Sequence, residues 1–188
     1  DGTNSAPEGC GIIGTATVYR CLEEMCYFAR LLGKNDRIPV YEDAMKNIYR
    51  AFNDEYFDKE SGHYETGFWN AAWAHSREKY RQTNDLTAIA YGLCPEEYKQ
   101  SVLSSLVEKI KKNGYHLNTG FFGTKLILPV LAENGYMDVA WKILTQTTYP
   151  SWGYWVSLGA TTCWEDYNDK TVRSRDHYFL GSYDQYLY

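Results

Sequence analysis

A chain of 188 residues, 44% of them hydrophobic, is one domain by size or part of one, and it can bury a sizeable core. The net charge of −5 is spread without a Lys/Arg block, so nucleic-acid binding is disfavoured, and no apolar run is long enough to span a bilayer. The five cysteines form no CxxC pair, which argues against a disulfide framework or zinc site and leaves the compartment open; the polar, Gly-rich start from Asp1 to Gly11 reads as no secretory signal.

Taken in chain order, the elements predicted are helices separated by short turns. Val18, Leu22, Met25, Ala29 and Leu32 recur at three- and four-residue steps and predict a helix from Thr15 to Leu32 with that face buried, stopped by Gly33. Pro39 suits a first helical position, and Val40, Ala44, Ile48 and Ala51 carry a second helix to about Asn53. Asp58 to Gly62 reads as a turn. The aromatic, poorly periodic stretch from His63 to Arg81 reads as a long loop with a short helix, and such loops are usually functional.

Leu86, Ile89, Ala90 and Leu93 resume helical spacing, and Cys94-Pro95 opens a helix carried by Val102, Leu103, Leu106, Val107 and Ile110 as far as Asn113-Gly114. Another helix runs from about Gly120 to Glu133, with Pro129 inside it. Asn134-Gly135 is a stop, Asp138 to Leu144 a short helix, and Tyr149 to Arg175 an irregular stretch. A last helix is predicted from His177 to Tyr188; it is too apolar for a polar capping repeat and calls for a further partner. The class predicted is all-α, built of antiparallel helical hairpins stacked as an open solenoid or a closed toroid.

Tyr occurs 18 times and Trp 6 times. Such side chains pair a flat apolar face with a polar edge, which suits sugars, although most of them are expected to fill the core. The segment richest in chemistry runs from Leu144 through Thr148-Tyr149-Pro150-Ser151-Trp152-Gly153-Tyr154-Trp155 to Gly159-Ala160-Thr161-Thr162-Cys163-Trp164-Glu165-Asp166. On residue chemistry alone, Glu165 is more often a solvated loop acid than a catalytic one. His63 and His75 lack partners at ligand spacing, so no metal site is expected; no phosphate cradle or nucleophile elbow occurs.

That segment resembles the bacterial α-L-rhamnosidases. The family's TYPSWGYM-like run, its GATT-x-WE motif and its NHY-x-x-GS motif are matched by Thr148 to Trp155, Gly159 to Glu165, and Asp176-His177-Tyr178-Phe179-Leu180-Gly181-Ser182. An HL-x-TGF-x-GT segment is matched by His116 to Thr124. The resemblance runs from about Gly14 to the end and implies part of an (α/α)6 toroid, the C-terminal half, with residues 1–188 as a single partial domain. It implies inverting hydrolysis of terminal α-L-rhamnosides, with Glu165 as general base and Asp166 as its neighbour.

His177 matches the family histidine that contacts the sugar, although Asp176 stands where an Asn is usual. His116 and Phe121 are candidates to line the pocket, and Trp164, Trp152 and Trp155 to stack on the sugar ring. Glu165, His177 and Trp164 are expected to converge on one concave face with His116 or Phe121. No cofactor and no metal are implied; the partner is a rhamnose-containing glycan. The family's D-x-x-x-R-x-E-x-x-G-W segment, which carries the general acid, has no counterpart here. The isolated chain is therefore expected to be inactive and to self-associate through exposed helix faces. The alternatives are a related (α/α)6 glycosidase for another sugar, or a non-catalytic helical-hairpin protein that binds glycans or protein partners.

Overall fold

The computed structural model describes residues 10–65 and 80–187. Helix α1, Cys10–Leu31, and helix α2, Ile38–Tyr56, form an antiparallel hairpin. Gly33 makes the reversal with φ 68°, a left-handed conformation that a side chain would strain, and Pro39 sits in the first turn of α2. The buried face of α1 differs from the one expected. Ile12, Ile13, Ala16, Cys26 and Ala29 are buried, while Val18, Met25 and Leu32 are exposed together with Phe28 and Leu31. The helix carries two apolar stripes, and spacing alone cannot say which of the two meets α2 and α3.

Strands β1, Phe57–Asp58, and β2, His63–Tyr64, pair antiparallel with Phe57 opposite Tyr64. The Asp58 carboxylate accepts the N–H groups of Glu60 and Ser61 and so closes the turn. Two residues per strand are too few to show alternation in a sequence. The expected short helix between His63 and Arg81 falls mostly on residues 66–79, outside the described residues.

Helix α3, Gln82–Ala90, is buried at every position but its last, polar residues included. A helix enclosed on all sides has no amphipathic pattern to display. Helix α4, Glu96–Lys112, is the opposite case. Val102, Leu103, Leu106, Val107 and Ile110 form one buried stripe, with Glu96 and Glu97 in its first turn and Lys109, Lys111 and Lys112 in its last, matching the helix dipole. Helices α5, Phe121–Glu133, and α6, Met137–Leu144, follow, separated by Gly135 with φ 87°.

A short helix α7, Trp152–Ser157, lies inside the stretch expected to be irregular. The Ser151 hydroxyl caps it by accepting the Tyr154 N–H at 3.0 Å. The final helix, Tyr178–Leu187, is 3₁₀ rather than α. Leu180, Tyr183 and Tyr186 all meet the core, and their three-residue step is the period of a 3₁₀ helix.

Contacts between elements define two layers. Helices α1, α3, α5 and the final 3₁₀ helix touch in succession, α1 to α3, α3 to α5, α5 to the 3₁₀ helix. Helices α2, α4 and α6 lie outside, each returning from the inner helix before it. This inner–outer alternation is an arc of an α/α toroid. Its core runs between the layers through Phe52, Leu86, Leu106, Ile127, Leu131 and Ile143.

Candidate active site

The inner helices α3 and α5 begin at one tied junction. The side chains and backbones of Gln82 and Asn118 exchange two hydrogen bonds, both 2.9 Å, and Gln82 Nε2 donates to the His116 carbonyl at 3.0 Å. This bracket fixes the approach to Phe121, the first residue of α5. His177, one residue before the final 3₁₀ helix, stacks on Phe121 with ring centroids 5.4 Å apart and planes at 16°, and it packs on Phe179 at 4.8 Å. Phe121 and Phe179 are walls of a cavity of about 690 Å³ that also meets Tyr91, Phe122, Tyr178 and Lys125. Three inner helices thus bring the start of α5, the end of α3 and the final helix to one aromatic hollow.

The segment of Glu165 is tied to the one before the final helix by backbone hydrogen bonds. The Glu165 N–H donates to the Ser174 carbonyl at 3.0 Å, and the His177 N–H donates to the Cys163 carbonyl at 2.8 Å. Position 165 therefore faces 174, whereas 163 faces 177, so one extra residue, within Arg175-Asp176, is accommodated opposite Trp164.

The Glu165 carboxylate is half-buried. Its Oε2 accepts the Ser174 N–H at 3.1 Å, and among the described residues it has no ion pair. Asp166 is different in kind. It is buried, and it accepts the Asn168 N–H at 3.0 Å and the Thr171 hydroxyl at 2.9 Å, so it shapes its own loop. Among the described residues the buried His177 Nδ1 has no hydrogen-bond partner, which is uncommon for a buried ring nitrogen.

Other expected site residues take other places. Trp152 and Trp155 are buried, and their indole N–H groups donate to the carbonyls of Leu180 at 2.6 Å and Asp166 at 3.1 Å. Trp164 is 4% exposed, and the Arg175 guanidinium lies 4.5 Å from its ring centre. All three tryptophans are buried and present no open stacking face, and Trp152 and Trp155 line a separate cavity of about 250 Å³. His116 bridges the Asn113 carbonyl and the Thr148 hydroxyl, each at 2.8 Å, and is not packed with Phe121 and His177. Phe121 joins the cluster and His116 does not.

Sequence spacing found no partner for His63, and the fold supplies two. His63 Nδ1 meets Asp85 Oδ2 at 3.0 Å and Nε2 meets Ser105 Oγ at 2.8 Å, while Asp85 Oδ1 accepts the Tyr64 N–H at 2.8 Å. Burial pushes the Asp85 carboxyl above its ordinary value, opposed by its bonds to His63 and Tyr64. The distances are those of a Ser–His–Asp relay, but Ser105 lies inside α4, whose N–H groups serve helical bonds and leave no oxyanion hole. The network is a buried polar pillar between the hairpin, α3 and α4. Among the described residues no group of three His, Cys, Asp or Glu side chains could hold a metal ion, and no helix is long and apolar enough to cross a membrane.

An arc of alternating inner and outer helices is the architecture of a helical-hairpin toroid. Residues 4–188 match the bacterial alpha-L-rhamnosidase six-hairpin glycosidase domain. An alpha-L-rhamnosidase of Formosa agariphila is 32% identical over all of this chain and 20% of its own length, and one of Streptomyces avermitilis is 30% identical over 94% of this chain and 16% of its own. Among solved structures, the alpha-L-rhamnosidase of Dictyoglumus thermophilum is 33% identical with a TM-score of 0.78, covering 90% of this chain and 18% of that one. The Streptomyces avermitilis enzyme, solved with L-rhamnose, is 28% identical with a TM-score of 0.76, covering 94% and 16%. The chain belongs to the bacterial α-L-rhamnosidase six-hairpin glycosidase family. It spans about a fifth or less of the length of these relatives.

Proposed function

We propose that the polypeptide carrying these residues hydrolyses terminal α-L-rhamnosides of glycans or glycosides with inversion, and that Glu165 is its general base. The observation that carries this is the pairing of residues 163–165 with 174–177. It joins the segments of Glu165 and His177, and among the described residues Glu165 has no ion pair and His177 Nδ1 no hydrogen-bond partner, which supports the reading. Glu165 takes a proton from a water as that water attacks the anomeric carbon, while a second carboxylic acid protonates the departing oxygen. His177 bonds a sugar hydroxyl, and Phe121 backs its ring. The relatives act as rhamnosidases, and one was solved holding L-rhamnose, which supports the choice of sugar.

Asp166, next to Glu165, is engaged in its own loop and does not serve as the second carboxylic acid. We infer that this acid comes from a segment outside Asp1–Tyr188 and that these residues form the C-terminal half of the toroid. Residues 1–188 alone are then expected to be inactive, and to self-associate through the exposed Val18, Met25, Phe28 and Leu32 of α1. The test is an aryl α-L-rhamnoside given to the full-length gene product and to Glu165→Gln, with the first-formed anomer read by NMR. Release of inverted rhamnose that collapses in the variant supports the reading. Retention of configuration, or a fully active variant, overturns it.

A further inference from the structure

Gln82, the first residue of α3, is 2% exposed, and its side chain holds the segment that leads into α5. The amide is used at both ends. Its Oε1 accepts the Asn118 N–H at 2.9 Å and its Nε2 donates to the His116 carbonyl at 3.0 Å, while the Gln82 N–H donates to Asn118 Oδ1 at 2.9 Å. A turned-over amide would set oxygen against carbonyl and N–H against N–H, so only this orientation fits. Helix α5 needs such an outside anchor. Its N-cap is Gly120, with no side-chain cap, and the bonds linking Thr119, Gly120 and Thr124 lie within the first turn and travel with it. Gly123 completes the contact by letting that turn lie against Thr83, the residue next to Gln82.

What the anchor places is Phe121. Its ring stacks on His177 with centroids 5.4 Å apart and planes at 16°, and it walls the large cavity. Two further rings against His177, those of Tyr178 and Phe179, follow it directly in the chain and move with it. Phe121 is the contact that refers the imidazole to the inner helices. We propose that Gln82 is a positioning residue for the hydrolysis: by fixing residues 116–118 it sets Phe121, and through Phe121 the direction in which His177 presents its nitrogen to the sugar. This rests on the rhamnosidase reading above. A hydrogen bond to a sugar hydroxyl is good only over a narrow range of distance and angle, so a displaced wall weakens binding even where the fold is intact.

The experiment titrates the full-length gene product with L-rhamnose by calorimetry, as wild type, Gln82→Met, His177→Ala, the double variant and Leu86→Val. A methionine keeps the length of the side chain and makes neither bond. Leu86 is buried in the same helix, within the core, and has no part in the bracket, so Leu86→Val reports what destabilising α3 does by itself. Gln82→Met is expected to weaken rhamnose binding about 3–10-fold, part of the effect of losing a hydrogen bond from His177. Leu86→Val is expected to leave it unchanged, and Gln82→Met in the His177→Ala background to cost nothing further. Equal losses in Gln82→Met and Leu86→Val, full additivity with His177→Ala, or unchanged affinity in Gln82→Met each overturn the proposal. If the methionine variant does not fold, Gln82→Glu, which keeps the acceptor for Asn118 and gives up the donor to His116, decides by the same comparison. A wild type that binds rhamnose and cleaves an aryl α-L-rhamnoside, matched by its Gln82 variant, refutes this inference alone, whereas a wild type that does neither refutes the rhamnosidase reading and this inference with it.

Discussion

Glu165 and Ser174 exchange two hydrogen bonds: the Glu165 N–H reaches the Ser174 carbonyl at 3.0 Å, and the Ser174 N–H reaches Glu165 Oε2 at 3.1 Å. The first sets the register of the two segments and the second aims the carboxylate. A glutamine at 165 can still accept the Ser174 N–H through its amide oxygen, but it cannot take a proton from water. Glu165→Gln is therefore expected to lower kcat by about 10²–10⁴-fold while the melting temperature stays within about 2 °C of wild type. Glu165→Asp keeps the charge but withdraws it by one methylene and loses the Ser174 bond, so it too is expected to be slow. Steady-state kinetics beside thermal melts on the full-length protein check both, and an active Glu165→Gln enzyme removes the base from this position.

His177 and Phe121 form the wall that the sugar is expected to meet. His177→Ala removes the unpartnered Nδ1 and the stacked ring together; Phe121→Leu keeps an apolar wall and removes only the ring contact. The first is expected to weaken rhamnose binding about tenfold or more, in line with a hydrogen bond to a buried group. The second is expected to cost about 0.5–1.5 kcal/mol of stability, the range of an aromatic pair, with a smaller effect on rhamnose affinity. Titration calorimetry with L-rhamnose separates the two, and equal affinity losses would show that the histidine acts by packing alone.

The outer helices α4 and α6 were legible because each has one wet face. The Val102–Ile110 stripe of α4 and the Val139, Ala140 and Ile143 set of α6 mark their buried sides without ambiguity. The inner helix α1 was misjudged for the converse reason: Val18, Met25 and Leu32 form as good a stripe as Ile12, Ala16, Cys26 and Ala29. At the candidate site, Glu165 and His177 could be named from motifs, yet the hydrogen bonds that join their segments, 165 to 174 and 177 to 163, follow no spacing rule. The tryptophans were assigned to sugar stacking because their chemistry suits it. Their burial, and the indole N–H bonds of Trp152 and Trp155, follow from long-range contacts that a sequence does not display. The partners of His63 lie 22 and 42 residues away, beyond any local pattern.

Gly123 marks a close approach of α5 to Thr83 of α3. A Cβ built there would collide with the Thr83 hydroxyl and would stand 2.8 Å from Thr119 Cγ2 and 2.9 Å from Thr83 Cβ. Both neighbours are short, buried or half-buried side chains on firm backbone, so neither can swing aside. Gly123→Ala is expected to destabilise by about 1–3 kcal/mol, the cost of overpacking, despite the better helix propensity of Ala. Gly14 in α1 has open space around it, and Gly14→Ala is expected to stabilise slightly. Chemical denaturation of the pair checks the contrast. A Gly123→Ala protein as stable as wild type would mean that α3 and α5 can separate at little cost.

Asp85 couples the stability of the pillar to pH. Burial pushes its carboxyl upward, while the bonds from His63 and Tyr64 and the contact with Tyr80 pull the other way; burial is the larger influence. The folded protein therefore holds a proton that the unfolded chain releases over the interval between the two values. The contribution is fully present below the ordinary aspartate range, about pH 4, and is lost as pH rises through the folded value. Asp85→Asn removes the titration while keeping an oxygen for the Tyr64 N–H. The melting temperature of wild type minus that of Asp85→Asn is thus expected to fall as pH rises from about 4. His63→Gln removes a group that favours the ionised carboxylate, so its decline is expected to continue to higher pH and to be larger in total. Melts of the three proteins across pH decide the matter. A wild-type difference that rises with pH would mean that the bonds from His63 and Tyr64 outweigh burial, and the carboxylate of Asp85 would then stabilise the fold as an anion.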